Sequence, residues 1–446
     1  MLTQTITAIH RKTVLSVLFK VDSIGQFACM NGSVRGYSVV HEVSKEQNTS
    51  KMLAWQIHCY GGLEELQLSK TARIPQIKDP NDVLIQVSAS SINPIDLAMM
   101  GGYGSVLLNK ARQFEACSFS ETLEFPLVLG RDFSGRIVAK GLGVGLDVNI
   151  GDEVWGALPP HLQGCHAQYV RVNKTLVCKK PHNVSLVQAG SVPYAAMTAW
   201  SALKVTSDLC FSTPKGKRVL ILGGSGGVGA AAVQLLKAWG AQVVATCRAD
   251  AVPLLESFGT DCVIDYTHPD AEKQIREQGK YNIILDAAGL GADAGLKYAD
   301  CLKDWNVSKF ITLRSPMLRN LDDYGVFGGM VKNAVDLLVT NVKTGLTSKS
   351  STIRWGFFLP SSDAIKEITR LVEEGKVSAL NLFNVIKIKL LICVCEHLMK
   401  GKEVTSTEIA AQFLTLLSEE YVSHNFVVCK VIGCGFDDRN SVRGIV

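Results

Sequence analysis

Residues 217–239 read KRVLILGGSGGVGAAAVQLLKAW, and this stretch decides the fold. Val219-Leu220-Ile221-Leu222 reads as a short apolar strand that runs into Gly224-Ser225-Gly226-Gly227-Val228-Gly229. Beyond it Val228, Ala232, Leu235, Leu236 and Trp239 stand at offsets of 0, 4, 7, 8 and 11, one face of a helix. Glycine pairs punctuate any turn, but a GxGxxG string between a strand and a helix points to a dinucleotide site. Gly224 is expected to permit the tight turn, Gly226 to let the backbone approach a pyrophosphate, and Gly229 to let the helix pack closely on the strand. The unpaired N–H groups and dipole of the helix then favour an anion without help from a lysine.

The next strand, Gln242 to Cys247, ends where nicotinamide cofactors are told apart. An NAD site puts Asp or Glu about 20 residues beyond the glycines, where it accepts from the ribose 2′-hydroxyl. This chain offers Thr246, Cys247 and Arg248, with Asp250 close by. A carboxylate repels a 2′-phosphate and a guanidinium pairs with it, so the expected cofactor is NADPH.

At 446 residues the chain is long enough for two domains with large cores. The net charge of +5 is spread along the sequence, and no basic run interleaved with aromatics supports nucleic-acid binding. Thirteen cysteines without CxxC pairs argue against a disulfide framework and a zinc knuckle, and suit a reducing compartment. No apolar run is long enough to cross a bilayer. Residues 1–40 carry Arg11, Lys12, Lys20 and Arg35 against one acid, Asp22, among hydroxyl and apolar residues. That is how mitochondrial transit segments look, so 1–50 are expected to be a transit or disordered segment outside the folded domains.

From Lys51 to about His182 short strands alternate with Gly, Pro, Asn and Asp, clearest at Val83–Val87, Gly135–Lys140, Asp152–Trp155 and Ala167–Val172. From about Pro193 onward strands at 219–222, 242–247, 262–264, 282–286 and 309–313 alternate with helical segments, the pattern of a doubly wound parallel sheet. Asp286-Ala287-Ala288-Gly289 falls at one strand end and is expected to face the nicotinamide side of the cleft. The expected organisation is α/β: a β-rich substrate domain at 51–190, a Rossmann NADPH domain at 191–345, and a return to the substrate domain with an atypical tail at 346–446. In that tail Val377–Cys395 is apolar and dotted with lysines, and Thr405-Ser406-Thr407-Glu408 opens an amphipathic helix through Leu417.

Ser91-Ile92-Asn93-Pro94-Ile95-Asp96, residues 126–135 (PLVLGRDFSG), Gly151-Asp152-Glu153-Val154-Trp155, Tyr194-Ala195-Ala196-Met197-Thr198-Ala199-Trp200, the glycine string and Val263-Ile264-Asp265-Tyr266 follow one another in a familiar order. The chain resembles the medium-chain dehydrogenase/reductase superfamily over roughly residues 52–376, in its zinc-free quinone oxidoreductase branch and near the mitochondrial reticulon-interacting oxidoreductases within it. The resemblance implies a GroES-like substrate domain, a Rossmann domain and a cleft between them. It places Ser225, Gly227, Val228, Arg248, Tyr266 and Leu313 around NADPH, and Asn93, Asp96 and Tyr103 around the substrate. Zinc-dependent members carry a ligand Cys near Asn93, a Gly-His-Glu near Gly130 and a four-cysteine lobe; this chain has Asn93-Pro94, Gly130-Arg131-Asp132 and no lobe between Gly156 and Gln168, so no metal is expected. His161, Cys165 and His166 are the one local cluster, and lone residues of this kind in a loop are structural more often than metal-binding. Nothing after Val377 matches the basic glycine motif with which the family closes its fold.

The implied activity is hydride transfer from NADPH to a quinone or a related conjugated carbonyl, with Tyr103 as candidate proton donor. Asp96 reads equally as a carboxylate tied to backbone, and Asn93 as a turn former before proline. Two alternatives stand beside it: a cofactor-binding regulatory protein acting on a reticulon-type partner, and an enoyl-thioester reductase. A homodimer is also compatible with the resemblance.

Overall fold

Antiparallel strands open the described chain: β1 (Lys51–Ile57), β2 (Gln67–Arg73), β3 (Asp82–Ile92), β4 (Leu127–Val128), β5 (Asp132–Lys140), β6 (Glu153–Ala157), β7 (Tyr169–Asn173) and β8 (Val177–Lys179). The computed structural model describes residues 51–117, 124–348 and 351–378, with backbone alone at 211 and at Val427–Cys429. The leader expected over 1–50 and the amphipathic helix expected from Thr405 lie outside the described residues. β3 is the spine of the antiparallel module, pairing with β5 (Ile85↔Ile137) and with β7 (Ile85↔Val170). Successive side chains of a strand point to opposite faces, so Val83, Ile85 and Val87 share one face; they pack with Phe133, Ile137, Val154, Val170 and Val172. β1 lies between β2 and β4 in a smaller sheet.

The second module is built on parallel strands β9 (Arg218–Leu222), β10 (Gln242–Cys247), β11 (Cys262–Asp265), β12 (Ile283–Asp286), β13 (Lys309–Thr312) and β14 (Thr352–Trp355), in the order β11-β10-β9-β12-β13-β14. Both faces are covered, which is why these strands read as apolar runs. Val219, Ile221, Val243 and Ala245 pack beneath helices Pro193–Trp200, Gly227–Ala238 and Ser362–Glu373. Leu220, Leu222, Val244 and Ile284 pack on the other side against helices Ala271–Glu277 and Ala292–Lys297. The strand order reverses between β9 and β12, and at such a switch point open α/β sheets bind ligands beyond the strand carboxyl ends.

The parallel sheet runs past residue 345, the expected end of its domain. β14 and helix Ser362–Glu373 lie beyond that point, one completing the sheet and the other covering it. β14 is an edge strand, paired among the described residues with β13 alone, so Thr352-Ile353-Arg354-Trp355 lacks the apolar run that marks its neighbours. Helix Gly227–Ala238 also departs from its one-face pattern: Ala230, Ala231, Val233 and Gln234 are buried along with Ala232, Leu235 and Leu236. Helix Pro193–Trp200 covers the side that would otherwise meet water.

Two helices of the second module reach the first. The fully buried Trp155 of β6 donates Nε1–H to Thr369 Oγ1 of helix Ser362–Glu373 at 3.0 Å. The helix Met317–Thr347 breaks at Gly325 (φ +70°, ψ 177°), a backbone conformation suited to glycine. Its two arms fold back on one another, with Asn320 Nδ2–H donating to Asn333 Oδ1 at 2.7 Å and Asn333 Nδ2–H to the Met317 carbonyl at 3.1 Å. A side chain at Gly329 would meet the Asn320 carbonyl at 2.5 Å. Last, the backbone of β15 (Val427–Cys429) pairs antiparallel with β3 at Ser90–Ile92.

Candidate active site

The turn that leaves β9 at the switch point begins with Gly223, one residue before the quoted glycine string. The left-handed residue of the turn is Gly223 (φ +80°), so the tight turn belongs there rather than to Gly224. A Cβ on Gly223 would press on Ala288 at 2.9 Å, after β12, which is how the two strand ends approach each other. Gly224 instead has no room: its Cβ would meet Ala245 Cβ at 2.9 Å and Leu255 Cδ1 at 3.0 Å. Thr246 fixes the turn by accepting Gly223 N–H on Oγ1 at 3.1 Å and Gly224 N–H on its carbonyl at 2.7 Å. Gly226 is the N-cap of helix Gly227–Ala238 and, among the described residues, has no side chain capping it. Ala230 is the first residue to bond back to Gly226, at 2.7 Å, which leaves the N–H groups of Gly227, Val228 and Gly229 as the first-turn donors. Ser225 and Val228 are partly exposed on this turn. Gly229 sits hard against it, for a Cβ there would lie 2.1 Å from the Gly223 carbonyl oxygen. A bare helix start beside a close-packed glycine turn has the donor set a pyrophosphate requires.

Arg248 and Tyr266 follow β10 and β11, whose ends are paired through Cys247↔Asp265. Tyr266 N–H donates to the Cys247 carbonyl at 3.0 Å, and its ring is 54 % exposed. The Arg248 guanidinium is exposed and held by Asp250, Nη2 to Oδ2 at 3.1 Å and Nε to Oδ1 at 3.3 Å. Leu313 follows β13, half buried, its N–H toward the Asp286 carbonyl at 3.3 Å. Asp286 itself is buried: it accepts the N–H groups of Leu290 and Gly291 at 3.0 and 2.8 Å and the Thr312 hydroxyl at 2.8 Å, and so shapes the 287–291 loop.

On the side of the antiparallel module, Asn93 and Asp96 are both buried. Asn93 donates through Nδ2 to Asp132 Oδ2 at 2.8 Å and to Ser91 Oγ at 3.0 Å. Asp96 accepts Asn93 N–H on Oδ2 and Gly130 N–H on Oδ1, both at 2.8 Å, and faces Arg131 Nε at 3.6 Å. Its two oxygens are thus engaged by the loop and the buried arginine. Tyr103 stands apart, half buried between Gly102 (φ +87°) and Gly104 (φ +80°), with its hydroxyl 3.5 Å from the Ser315 carbonyl just past β13. Burial raises its phenol above the ordinary range, and the Asp322 carboxylate adds to the shift while Arg319 opposes it. Tyr194, quoted in the sequence only as part of a motif, donates its N–H to Asp132 and stacks its ring on Phe358 with centroids 4.5 Å apart.

His161, Cys165 and His166 go separate ways. His166 Nε2 is 3.0 Å from the Ser91 carbonyl, its ring under Gly130, while His161 Nε2 lies 3.5 Å from Glu115 Oε2. Burial lowers the pKa of both imidazoles and raises that of the buried Cys165 thiol. Among the described residues no three His, Cys, Asp or Glu side chains stand together as a metal site.

Asp132 is the hub of this region. It accepts from the Ser91 hydroxyl, the Asn93 amide and Tyr194 N–H, yet burial pushes its carboxyl up to about 7 from an ordinary 3.8. A folded-state pKa above the unfolded one gives stability that is full below about pH 4 and is lost as pH rises through about 7. Asp132→Asn copies the neutral form. The melting advantage of the native chain over this variant is expected to shrink between about pH 5 and about pH 8. A gap that stays constant or widens would contradict the raised carboxyl.

Comparison with known proteins follows the same outline. The alcohol dehydrogenase GroES-like domain family matches residues 79–205, and the zinc-binding dehydrogenase family matches 227–304. The chain is 41 % identical over 343 residues to the mitochondrial NAD(P)H oxidoreductase RTN4IP1 of Drosophila melanogaster, covering 75 % of this chain and 80 % of that one. It is 35 % identical over 332 residues to the mitochondrial reticulon-4-interacting protein 1 of Caenorhabditis elegans, covering 74 % of this chain and 87 % of that one. Among solved structures, the quinone oxidoreductase from Coxiella burnetii shares the fold with a TM-score of 0.59 at 24 % identity, over 86 % of this chain and all of that one (100 %).

Proposed function

The chain belongs to the medium-chain dehydrogenase/reductase superfamily, and from that membership we propose that it is a mitochondrial, NADPH-dependent, zinc-independent oxidoreductase that reduces a quinone or a related conjugated carbonyl. One observation carries the reading: Tyr103, a phenol of the antiparallel module, meets Ser315 at the same strand-end face of the parallel sheet that carries the glycine turn. The first-turn N–H groups of Gly227, Val228 and Gly229 hold the pyrophosphate, with Ser225 beside them. When bound, the reduced nicotinamide supplies a hydride. Tyr103 donates the accompanying proton to the acceptor oxygen, a phenol being protonated at neutral pH. Asn93 and Asp96 act from beneath by fixing the loop that lines the acceptor pocket, and Leu313 closes the nicotinamide side.

Arg248 and Tyr266 receive the adenosine 2′-phosphate. A charge-assisted hydrogen bond contributes ~1.5–3 kcal/mol, so Arg248→Glu is expected to weaken NADPH roughly ten- to a hundredfold and NADH far less. Asp250 holds the guanidinium in the free protein, so Asp250→Asn is expected to shift affinity the other way. Calorimetric titration of both nucleotides checks this, and equal loss for NADPH and NADH would remove the role given to Arg248.

The activity itself is tested by mixing purified protein with NADPH and a soluble quinone. NADPH oxidation above the blank supports the reading. Thermal stabilisation by NADPH with no oxidation would favour the second reading, a cofactor-bound partner of a reticulon-type protein, which the name of the Caenorhabditis elegans relative suggests. Turnover of a 2-enoyl thioester in place of the quinone would move the assignment to an enoyl-thioester reductase.

A further inference from the structure

Gly104 opens helix Ser105–Glu115 in the left-handed conformation and has no side chain with which to cap it. The cap comes instead from the far side of the cleft. Asp322, on the short arm of the broken helix, accepts Gly104 N–H on Oδ2 at 2.7 Å and Val106 N–H on Oδ1 at 3.1 Å, with the Ser105 hydroxyl at 3.4 Å. A carboxylate there satisfies otherwise orphaned donors and opposes the positive end of the helix dipole. Leu318, one turn earlier on the same arm, packs so closely that a Cβ on Gly104 would lie 3.0 Å from its Cδ1. The arm is braced in turn by Asn320, which donates to Asn333 Oδ1 at 2.7 Å and to Asp336 Oδ2 at 3.0 Å on the long arm.

The clasp grips the chain next to Tyr103. Glycines on both sides give that tyrosine a backbone with little rigidity of its own, and its hydroxyl reaches Ser315 at the start of the same arm. We infer that Asp322 is a positioning residue: by capping Gly104–Val106 from the nucleotide-binding module it fixes the Tyr103 phenol over the acceptor pocket and makes its placement depend on the two modules being docked. This rests on the reading of Tyr103 as proton donor. It assigns the hairpin of Met317–Thr347 a part in the reaction beyond covering the sheet.

Two measurements on the full chain separate the clasp from the reaction. In hydrogen–deuterium exchange without substrate, Asp322→Ala is expected to raise exchange at Gly104 and Val106 about tenfold or more while β9 is unchanged. In steady-state kinetics with NADPH and a soluble benzoquinone, Asp322→Ala is expected to lower kcat about tenfold or more at an unchanged KM for NADPH, with partial recovery in Asp322→Glu. The double variant Tyr103→Phe/Asp322→Ala is expected to be no slower than Tyr103→Phe alone. Unchanged exchange, or kinetic losses that multiply in the double variant, overturns the inference. The exchange response in Asp322→Ala together with no quinone turnover by the native chain overturns the proposed reaction and leaves the clasp standing.

Discussion

Gly229→Ala is expected to weaken NADPH binding by about a hundredfold or more and to lower the melting temperature in the same step. The added methyl would stand 2.1 Å from the Gly223 carbonyl oxygen and 2.9 Å from its carbon, both backbone atoms with no rotamer to escape into. The helix must therefore move off the turn. Overpacking of this kind costs ~1–3 kcal/mol, and the displaced first turn no longer aims the N–H groups of Gly227 and Val228 at one point. Gly345→Ala is the control, because nothing lies within 4 Å of its would-be Cβ and it sits in a helix, where alanine is favoured by up to ~1 kcal/mol. Calorimetry with NADPH and a thermal melt of both variants read the result. Native-like affinity in Gly229→Ala would mean that the nucleotide does not use this turn.

Asp96→Ala is expected to destabilise the fold by ~3–5 kcal/mol, the cost of leaving a buried charge without its partner. Arg131 is fully buried, and four carbonyls satisfy its outer nitrogens: those of Pro159, Pro160 and Leu162 at Nη1 and Val128 at Nη2. Asp96 is the carboxylate that balances it, and the same carboxylate holds the Asn93 and Gly130 amides. Its loss exposes three mismatches at once. Replacing both partners, as in Asp96→Ala/Arg131→Met, is expected to recover part of the stability, since an apolar pair does not carry the desolvation of the ion pair. Denaturant unfolding decides the matter: a single variant within ~1 kcal/mol of the native chain, or a double variant less stable than the single, would show that the pair does not hold this loop.

The parallel strands were legible because each is a local apolar run closed by a turn. β10 matches Gln242–Cys247 residue for residue, and β9, β11, β12 and β13 agree within one residue at either end. β14 carries no such signal, since an edge strand need not be apolar throughout. The glycine string is legible for the same local reason, but the left-handed residue of the turn, Gly223, stands just outside it. Its need for glycine comes from the left-handed φ and from Ala288, a neighbour only after the parallel sheet has formed.

The sequence by itself determined the strand–turn–helix at Gly224–Gly229, the alternation that makes a doubly wound sheet, and the residue types at the strand ends, because backbone preference and hydrophobic periodicity act over a few residues. The tertiary structure alone decided how distant groups meet. Asp322 caps Gly104 across 218 residues of chain, Trp155 reaches Thr369 across 214, and Asp132 gathers Asn93 and Tyr194 from two elements. Hydrogen bonds and ion pairs of this kind depend on ångström-scale placement by packed helices and sheets, and no spacing along the chain encodes that placement.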